Sequence, residues 1–430
     1  MQNGTDLLGT TMRRRLCCFA SLILAVFSLG APSVLADSAA ELHPRLGLPH
    51  LAAPGSELRV AYFGGSITAA ADGWRTLTTE HLRTRFPNTT VSEISAGLPG
   101  TGSDLGACRV HRDVLRHRPD LLFVEFAVND TNTPPERIER TMEGIVRQTW
   151  RADPRIEIVF VYTVSTPGLT DLQAGKYPPS AQAMERVAAH YGIPSLHFGI
   201  EVVQRIAAGS LVFKNPALPD DKRTFSTDGV HPTTAGHRVY SATLIRALQA
   251  FIDASTPRPA QLPLPLHTDN WENAQLQELD ASHLEGSWSL VDPADPNLRG
   301  ATKALLPPTW RATKPGAVFT TEFTGRKFGL LGIAAPDNGV FRVTIDNREP
   351  VTDTFFDAFV SETFCRQRPW FYPGELEDGP HRVHVELLGT TLDKSAIKAT
   401  RSGKPLDNAA PYQAHHLTLS GALLVGSAVP

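Results

Sequence analysis

The stretch VAYFGGSITAAADGW (residues 60–74) runs from an apolar, β-rich segment through two glycines and then to a serine, Ser66. A serine that follows a strand in this way often caps the next helix by accepting a backbone hydrogen bond. It could also be a nucleophile, but only if a nearby base removes its proton. The choice between a helix cap and a nucleophile therefore depends on residues elsewhere in the chain.

Around this stretch, residues 58–253 alternate between apolar β-rich runs and amphipathic segments. The predicted strands are LRVAYF (58–63), VSEIS (91–95), LLFVEFAV (121–128), IEIVFVYTV (156–164) and IPSLHF (193–198). The predicted helices are residues 74–86, 135–151, 181–191 and 233–253. Near-continuous apolar runs are typical of strands buried on both faces of a parallel sheet. The alternation therefore predicts a doubly wound α/β sandwich within residues 37–253.

The C-terminal part of the chain has a different pattern. Residues 254–270 are rich in proline and predict a stiff, extended linker. Residues 271–430 contain short alternating runs separated by turn residues, such as GVFRVTIDNREP (339–350) and HRVHVELLG (381–389). This pattern predicts an all-β, jelly-roll-like sandwich as an accessory domain.

The N-terminus predicts an export signal. Residues 1–36 combine Arg13 to Arg15, an apolar stretch and small residues at Val34 and Ala36, the pattern of a signal peptide cleaved after Ala36. The apolar stretch is short for a membrane span. We therefore expect a secreted or periplasmic protein without a membrane anchor after cleavage.

Composition narrows the classes of partner and cofactor. A formal net charge of −3 gives no electrostatic basis for binding nucleic acid. Cys108 and Cys365 lie outside the predicted signal peptide; they could pair in an oxidising compartment or remain two buried free thiols. No Cys/His spacing indicates a zinc site, and no metal or cofactor is predicted.

Polar residues cluster after the predicted strands. Ser66 follows the first strand, a glycine-rich loop (AGLPGTGS, 96–103) follows the second, and Asn129 follows the third. Asp228 and His231 lie in STDGVHPTTAGH (226–237), just before the last predicted helix. Because ligands bind at the carboxyl ends of the strands in open α/β sheets, these residues are expected to meet in one site.

Together these residues have the chemistry of acyl transfer. His231 can remove the proton of Ser66, and Asp228 can hold the imidazole and stabilise its protonated form. Backbone N–H groups at Ser66 and in the glycine-rich loop, together with the Asn129 amide, can stabilise an oxyanion. These partners favour the nucleophile over the helix cap.

The four segments GGSIT, the glycine-rich loop, AVND and DGVHPTTAGH resemble, in order, the sequence blocks of the SGNH/GDSL hydrolases. The resemblance implies a flavodoxin-like three-layer α/β/α sandwich and a Ser66–His231–Asp228 triad. It also implies an oxyanion hole formed by Ser66, Gly100 and Asn129, with Gly102 as an alternative to Gly100. One departure stands out: Gly65 occupies the position of the aspartate in the family's Gly-Asp-Ser motif.

The substrate is inferred from the setting of this site. Export and an aromatic-containing β domain favour a carbohydrate O-acetylesterase acting on plant-type polysaccharides such as xylan, xyloglucan or pectin. The aromatic residues could stack on sugars or form the sandwich core; they are Trp288, Trp310, Trp370, Phe371 and Tyr372. Alternatives are a lipid esterase or thioesterase, a periplasmic polysaccharide O-acetyltransferase, and a non-catalytic glycan-binding protein.

Four further residues near these motifs have two interpretations. We expect His237 to pack on or cap the last helix and Asp130 to act as a turn or cap residue. Trp74 could border the pocket or lie in the core. Arg109 could fasten the glycine-rich loop through hydrogen bonds to carbonyl groups, or lie on the surface.

Overall fold

A six-stranded sheet carries the first half of the fold. The computed structural model of the chain describes residues 40–256, 261–300 and 302–429, so the predicted signal peptide lies outside the described residues. The strands are β1 (Leu42–His43), β2 (Glu57–Gly64), β3 (Thr90–Gly97), β4 (Leu121–Glu125), β5 (Glu157–Tyr162) and β6 (Ser195–His197). Their order is β1-β6-β5-β4-β2-β3, and β2 to β6 are parallel.

All five predicted strands are present, and their order is that of a flavodoxin-like sheet. The prediction missed β1, a two-residue strand that pairs antiparallel with β6 at the sheet edge. Two further short strands, β7 (Val212–Lys214) and β8 (Thr224–Ser226), form a separate parallel pair. These strands are too short to show a hydrophobic period in the sequence.

Helices cover both faces of the sheet. They are α1 (Ser66–Ala69), α2 (Trp74–Arg85), α3 (Ser103–Asp113), α4 (Pro135–Ala152), α5 (Thr166–Gln173), α6 (Pro179–Tyr191), α7 (Phe198–Ala207) and α8 (Thr234–Asp253). Strand β2 shows the two layers, because side chains alternate across a strand. Phe63 lies in the apolar cluster that includes α3, α4 and α6, whereas Tyr62 lies in the cluster with α2, α7 and α8. The prediction of an α/β/α sandwich is thus confirmed, although α1, α3, α5 and α7 were not predicted.

The second half of the fold is an antiparallel β structure, as predicted. Its strands are β9 (Ala274–Gln277), β10 (Leu284–Glu285), β11 (Trp288–Leu290), β12 (Trp310–Ala312), β13 (Val318–Ala334), β14 (Val340–Ile345), β15 (Val351–Thr354), β16 (Arg366–Phe371), β17 (Gly379–Leu387) and β18 (Leu417–Ala428). The long strand β13 pairs with β17 over residues 318–325, with β16 over 329–334 and with β18 over 323–332. One helix, α9 (Lys394–Ser402), was not predicted.

The two halves share an apolar core. Trp271 and Leu423 lie in the same buried cluster as residues of α3 and α4. A Cβ at Gly144 of α4 would stand 2.5 Å from the backbone carbon of Trp271, so a glycine is needed where the chain crosses this helix. The segment just before Trp271 is also bound to α4, because the His267 N–H donates to Glu143 at 2.8 Å. The C-terminal part of the predicted linker therefore packs against the α/β half.

The aromatic residues of the β half are structural. Trp370 and Tyr372 are buried in its core, and Trp288 and Trp310 pack against that core. Phe371 packs on Trp271, with ring centres 5.4 Å apart. Of the two predicted roles, core packing describes all five residues, and they do not form an exposed stacking surface.

Two further observations concern the cysteines and the membrane. Cys108 and Cys365 are both buried free thiols, so the predicted alternative of a disulfide is wrong. Among the described residues, no helix combines the length and the apolar character needed to span a membrane.

Candidate active site

Ser66 lies at the carboxyl edge of the sheet, in the turn between β2 and α1. The turn brings the backbone close to β4: a Cβ at Gly64 would stand 2.7 Å from Thr68 Oγ1 and 3.0 Å from Glu125 Oε2. The next residue, Gly65, is extended and precedes the first residue of α1, which is Ser66. The glycine pair therefore lets the chain turn against the neighbouring strand and carries Ser66 to the edge of the sheet.

A line of hydrogen bonds joins Ser66 to His231 and Asp228. Ser66 Oγ lies 2.9 Å from His231 Nε2, and His231 Nδ1 lies 2.7 Å from Asp228 Oδ2. With the ring proton on Nδ1, the imidazole donates to Asp228 and leaves Nε2 free to accept the serine proton. This pattern is that of a nucleophile, a base and an orienting acid.

The carboxylate of Asp228 is held by its own loop. Its Oδ1 accepts the backbone N–H groups of Val230 and His231, each at 2.8 Å, and the Ser226 hydroxyl at 3.1 Å. Burial alone would raise the pKa of Asp228, but hydrogen bonds from the His231 side chain and from these backbone groups outweigh it and hold the pKa well below its usual range. Asp228 is therefore ionised at neutral pH.

The loop that carries Asp228 and His231 is fastened to the start of α5. Gly229 has φ +89°, and a Cβ there would collide with the Thr166 hydroxyl. Its carbonyl oxygen accepts the Thr166 N–H at 2.8 Å and the Thr166 hydroxyl at 3.0 Å. The side chains of His231 and Asp228 remain 53% and 52% exposed, so the site opens directly to solvent.

The other predicted oxyanion residues lie around the same turn. Asn129 follows β4, and its side-chain amide packs against the α-carbon of Gly65. Gly100 is exposed, with φ +72°, and its nearest neighbour across the turn is Arg366 of β16. Gly102 has a different setting, because a Cβ there would collide with the Asp130 carboxylate. Gly100 is thus the more open of the two predicted donors, and its role stays a prediction.

The neighbouring residues mainly support this edge of the sheet. Asp130 accepts the Ser103 N–H at the start of α3, at 3.1 Å, as expected for a cap. His237, on α8, accepts the Trp74 N–H at 3.2 Å and so caps α2 rather than its own helix. Trp74 is fully buried in the core.

Arg109 is buried and not on the surface. Its guanidinium donates to the carbonyl oxygens of Ala96 at 2.9 Å and Gly64 at 3.2 Å, and pairs with Asp113 at 3.1 Å. It therefore fastens the ends of both β2 and β3, next to the Ser66 turn and at the start of the glycine-rich loop. The interpretation as a surface arginine is wrong.

Glu125, the last residue of β4, was not among the predicted site residues. Its side chain is completely buried and accepts hydrogen bonds from Thr68 and Thr163. Burial raises the pKa of Glu125 to about 7, although the hydrogen bonds from Thr163, Thr68 and the Gly65 backbone oppose this. The signal was present in the run LLFVEFAV, where a charged residue interrupts a strand that is otherwise apolar on both faces.

Comparison with known proteins finds a matching family and similar crystal structures. Residues 62–239 match the GDSL-like lipase/acylhydrolase family. Two crystal structures of a two-domain esterase (CEX) active on acetylated mannans are similar, one of them co-crystallised with mannopentaose. Their TM-scores are 0.69 and 0.68, with 20% and 21% sequence identity, over 90% of this chain and 97% of theirs. Among curated proteins, none matches this sequence significantly.

Proposed function

We propose that this carboxylic ester hydrolase, whose residues 62–239 match the GDSL-like lipase/acylhydrolase family, is an exported carbohydrate O-acetylesterase. The observation that carries the proposal is the continuous chain of hydrogen bonds from Ser66 through His231 to Asp228. In this proposal Ser66 is the nucleophile, His231 the general base and acid, and Asp228 the group that orients His231.

The reaction follows from this geometry in two halves. Ser66 Oγ attacks the acetyl carbonyl carbon while its proton moves to His231 Nε2, and Asp228 stabilises the imidazolium. The oxyanion is stabilised by the N–H groups of Ser66 and Gly100 and by the Asn129 amide. His231 then gives its proton to the sugar oxygen. The sugar departs, and Ser66 remains acetylated. A water molecule, deprotonated by His231, then attacks the acetyl carbon. As the bond from this carbon to Ser66 Oγ breaks, His231 returns the proton to Oγ and acetic acid leaves.

The open site supports an acetyl group carried on a bulky chain. His231 and Asp228 are half exposed, so an ester protruding from a polysaccharide can reach Ser66 without the polymer entering a tunnel. The similarity to an esterase active on acetylated mannans spans both halves of this chain and is consistent with such a substrate. Acetylated mannan therefore joins xylan, xyloglucan and pectin as a substrate to test.

The β half supports the proposal through Arg366. A Cβ added to Gly100 would stand 3.8 Å from the guanidinium Nη1 of Arg366, and Nη2 of Arg366 is paired with Asp357. Nη1 forms no hydrogen bond with any residue that the structure describes, so it is available to a ligand bound over Gly100. We infer that the β half contributes to carbohydrate binding through this arginine rather than through an aromatic platform.

The first experiment measures acetate release from acetylated mannan, xylan and pectin by the full chain and by Ser66→Ala. Hydrolysis of p-nitrophenyl esters from acetate to decanoate measures the acyl preference. Ser92→Ala is a matched control, because Ser92 is an exposed serine on β3. We expect loss of activity in Ser66→Ala alone and a preference for acetate.

Several outcomes would overturn parts of the proposal. Activity that persists in Ser66→Ala would reject the mechanism. A preference for long acyl chains would favour the lipid esterase or thioesterase, and faster acetyl transfer to added oligosaccharides than to water would favour the acetyltransferase. Export is tested separately: the secreted protein is expected to begin at Asp37, and retention of residues 1–36 would contradict it.

A further inference from the structure

The carboxyl group of Glu125 lies directly behind the nucleophile turn. Its Oε2 accepts the Thr68 hydroxyl at 2.8 Å, and its Oε1 accepts the Thr163 hydroxyl at 2.6 Å. The backbone N–H of Gly65 also faces this carboxyl group and lowers its pKa. Glu125, Thr68 and Thr163 are each at most 2% exposed, so water does not compete for these hydrogen bonds.

The three donors come from three different parts of the site. Gly65 precedes Ser66 in the turn after β2, Thr68 lies in the short helix α1, and Thr163 follows β5. One carboxyl group on β4 therefore joins the turn and the first residues of α1 to two neighbouring strands. Because Gly65 has no side chain, the turn has no carboxylate of its own to make such contacts.

We propose that Glu125 is a positioning residue that holds the Ser66 turn in its reactive orientation. Its carboxyl group takes the place of the one that the turn lacks because residue 65 is a glycine. The inference rests on the proposed function only in taking Ser66 as the nucleophile. An ionised carboxylate accepts both threonine hydrogen bonds at once and attracts the Gly65 N–H, whereas a protonated one must donate through one oxygen. A hydroxyl can turn to accept that proton, but the Gly65 N–H cannot.

The surroundings of Glu125 contain few charges. Tyr240 of α8 is a titratable side chain that interacts electrostatically with it. Arg109 of α3 approaches the other side of the turn, where it binds the carbonyl oxygen of Gly64. With a pKa raised by burial to about 7, Glu125 changes its protonation near neutrality. The ionised form, which suits both threonine hydroxyls and the Gly65 N–H, is lost as the pH falls through this value.

The test compares Glu125→Gln with Glu157→Gln. Glu157 is an equally buried carboxylate at the start of β5, at the amino edge of the same sheet. It accepts the Leu51 N–H there at 3.2 Å. For p-nitrophenyl acetate, we expect Glu125→Gln to lower kcat at least roughly tenfold with KM changed less than about twofold, because a misplaced nucleophile affects the chemical step. Glu157→Gln is expected to keep the wild-type kcat. The labelling rate of Ser66 with a fluorophosphonate should fall in parallel in Glu125→Gln.

The pH profile separates positioning from a purely structural role. Glu125 must be deprotonated in the wild type, whereas Glu125→Gln has no carboxyl group to titrate at this position, so the acid limb of its kcat profile should be less steep. Thr163→Val removes a hydrogen bond that lowers the pKa of Glu125 and should shift the acid limb to higher pH.

The inference would be overturned if Glu125→Gln retained the wild-type kcat and pH profile. If Glu125→Gln did not fold, an unchanged acid limb in folded Thr163→Val would overturn it. These outcomes differ from failure of the proposed function, in which Ser66→Ala itself would remain active.

Discussion

The side-chain amide of Asn129 lies against the α-carbon of Gly65: a Cβ added to Gly65 would stand 2.7 Å from Asn129 Cγ and closer still to Oδ1. The proposed oxyanion donor thus occupies the space that a side chain at position 65 would fill. The family's usual aspartate does not fit here unless Asn129 moves. The unusual glycine and the placement of Asn129 are therefore one structural feature.

Restoring the aspartate should impair the enzyme. We expect Gly65→Asp, and also Gly65→Ala, to lower kcat by about 10²–10³-fold, the size of losing one oxyanion donor, because Asn129 is displaced. Gly55→Ala is the control, since a Cβ there has no neighbour within 4 Å. Steady-state kinetics with p-nitrophenyl acetate measures the effect, and a fully active Gly65→Asp would refute the displacement of Asn129.

Replacing Asp228 should impair catalysis. Asp228→Asn is expected to lower kcat roughly 10²–10⁴-fold. The asparagine neither stabilises the protonated ring of His231 nor holds the neutral ring in the tautomer with its proton on Nδ1. The pKa of Asp228 is already far below its usual range, so Asp228 is ionised throughout the neutral region and the loss of activity on acidification comes from other groups. A pH–rate profile is the measurement. An Asp228→Asn variant with unchanged kcat would remove Asp228 from the mechanism.

Arg366 should matter for glycans and not for small esters. We expect Arg366→Gln to lower kcat/KM for acetylated mannan by about tenfold, the size of one lost hydrogen bond to a charged donor, with less than about a twofold change for p-nitrophenyl acetate. Arg382→Gln on β17 is the control, because Arg382 is 77% exposed. Equal effects of Arg366→Gln on both substrates would point to a disturbed Gly100 loop instead of a lost glycan contact. The full chain is used, because removing the β half would expose the shared core around Trp271.

His237 should make stability sensitive to acid. Burial, with a smaller contribution from the nearby His231, lowers the pKa of His237 from an ordinary value of 6.5 to about 4. Between these values the unfolded chain binds a proton that the folded chain does not, so stability is full above pH 6.5 and falls as the pH drops towards 4. The shift corresponds to about 3 kcal/mol at most.

The check is urea unfolding of wild type and His237→Asn between pH 7 and pH 4. Asparagine can still accept the Trp74 N–H but does not titrate in this range, so the variant should lose less stability on acidification. His111→Asn is the matched control, since His111 is exposed on α3. Parallel pH dependence in wild type and His237→Asn would show that His237 is not the acid-sensitive group.

The sequence by itself determined the α/β sheet and predicted the candidate residues at its carboxyl edge. Apolar runs such as LLFVEFAV predict buried parallel strands because burial on both faces leaves a local pattern, and the parallel topology places the loops after these strands at one edge. Ser66, Asn129, Asp228 and His231 were predicted for that reason, aided by the family resemblance. Short elements such as β1 and α1 span too few residues to show a period.

Only the tertiary structure decided which residues support and surround that edge. Glu125 and Arg109 bind backbone and hydroxyl groups that lie up to 57 residues away in sequence, and Arg366 reaches Gly100 from the other half of the fold. The aromatic residues of the β half were ambiguous because composition does not show which face of a strand is covered; packing placed Trp370 and Tyr372 inside. Strand and helix patterns arise from neighbouring residues, whereas these contacts exist only once distant segments have come together.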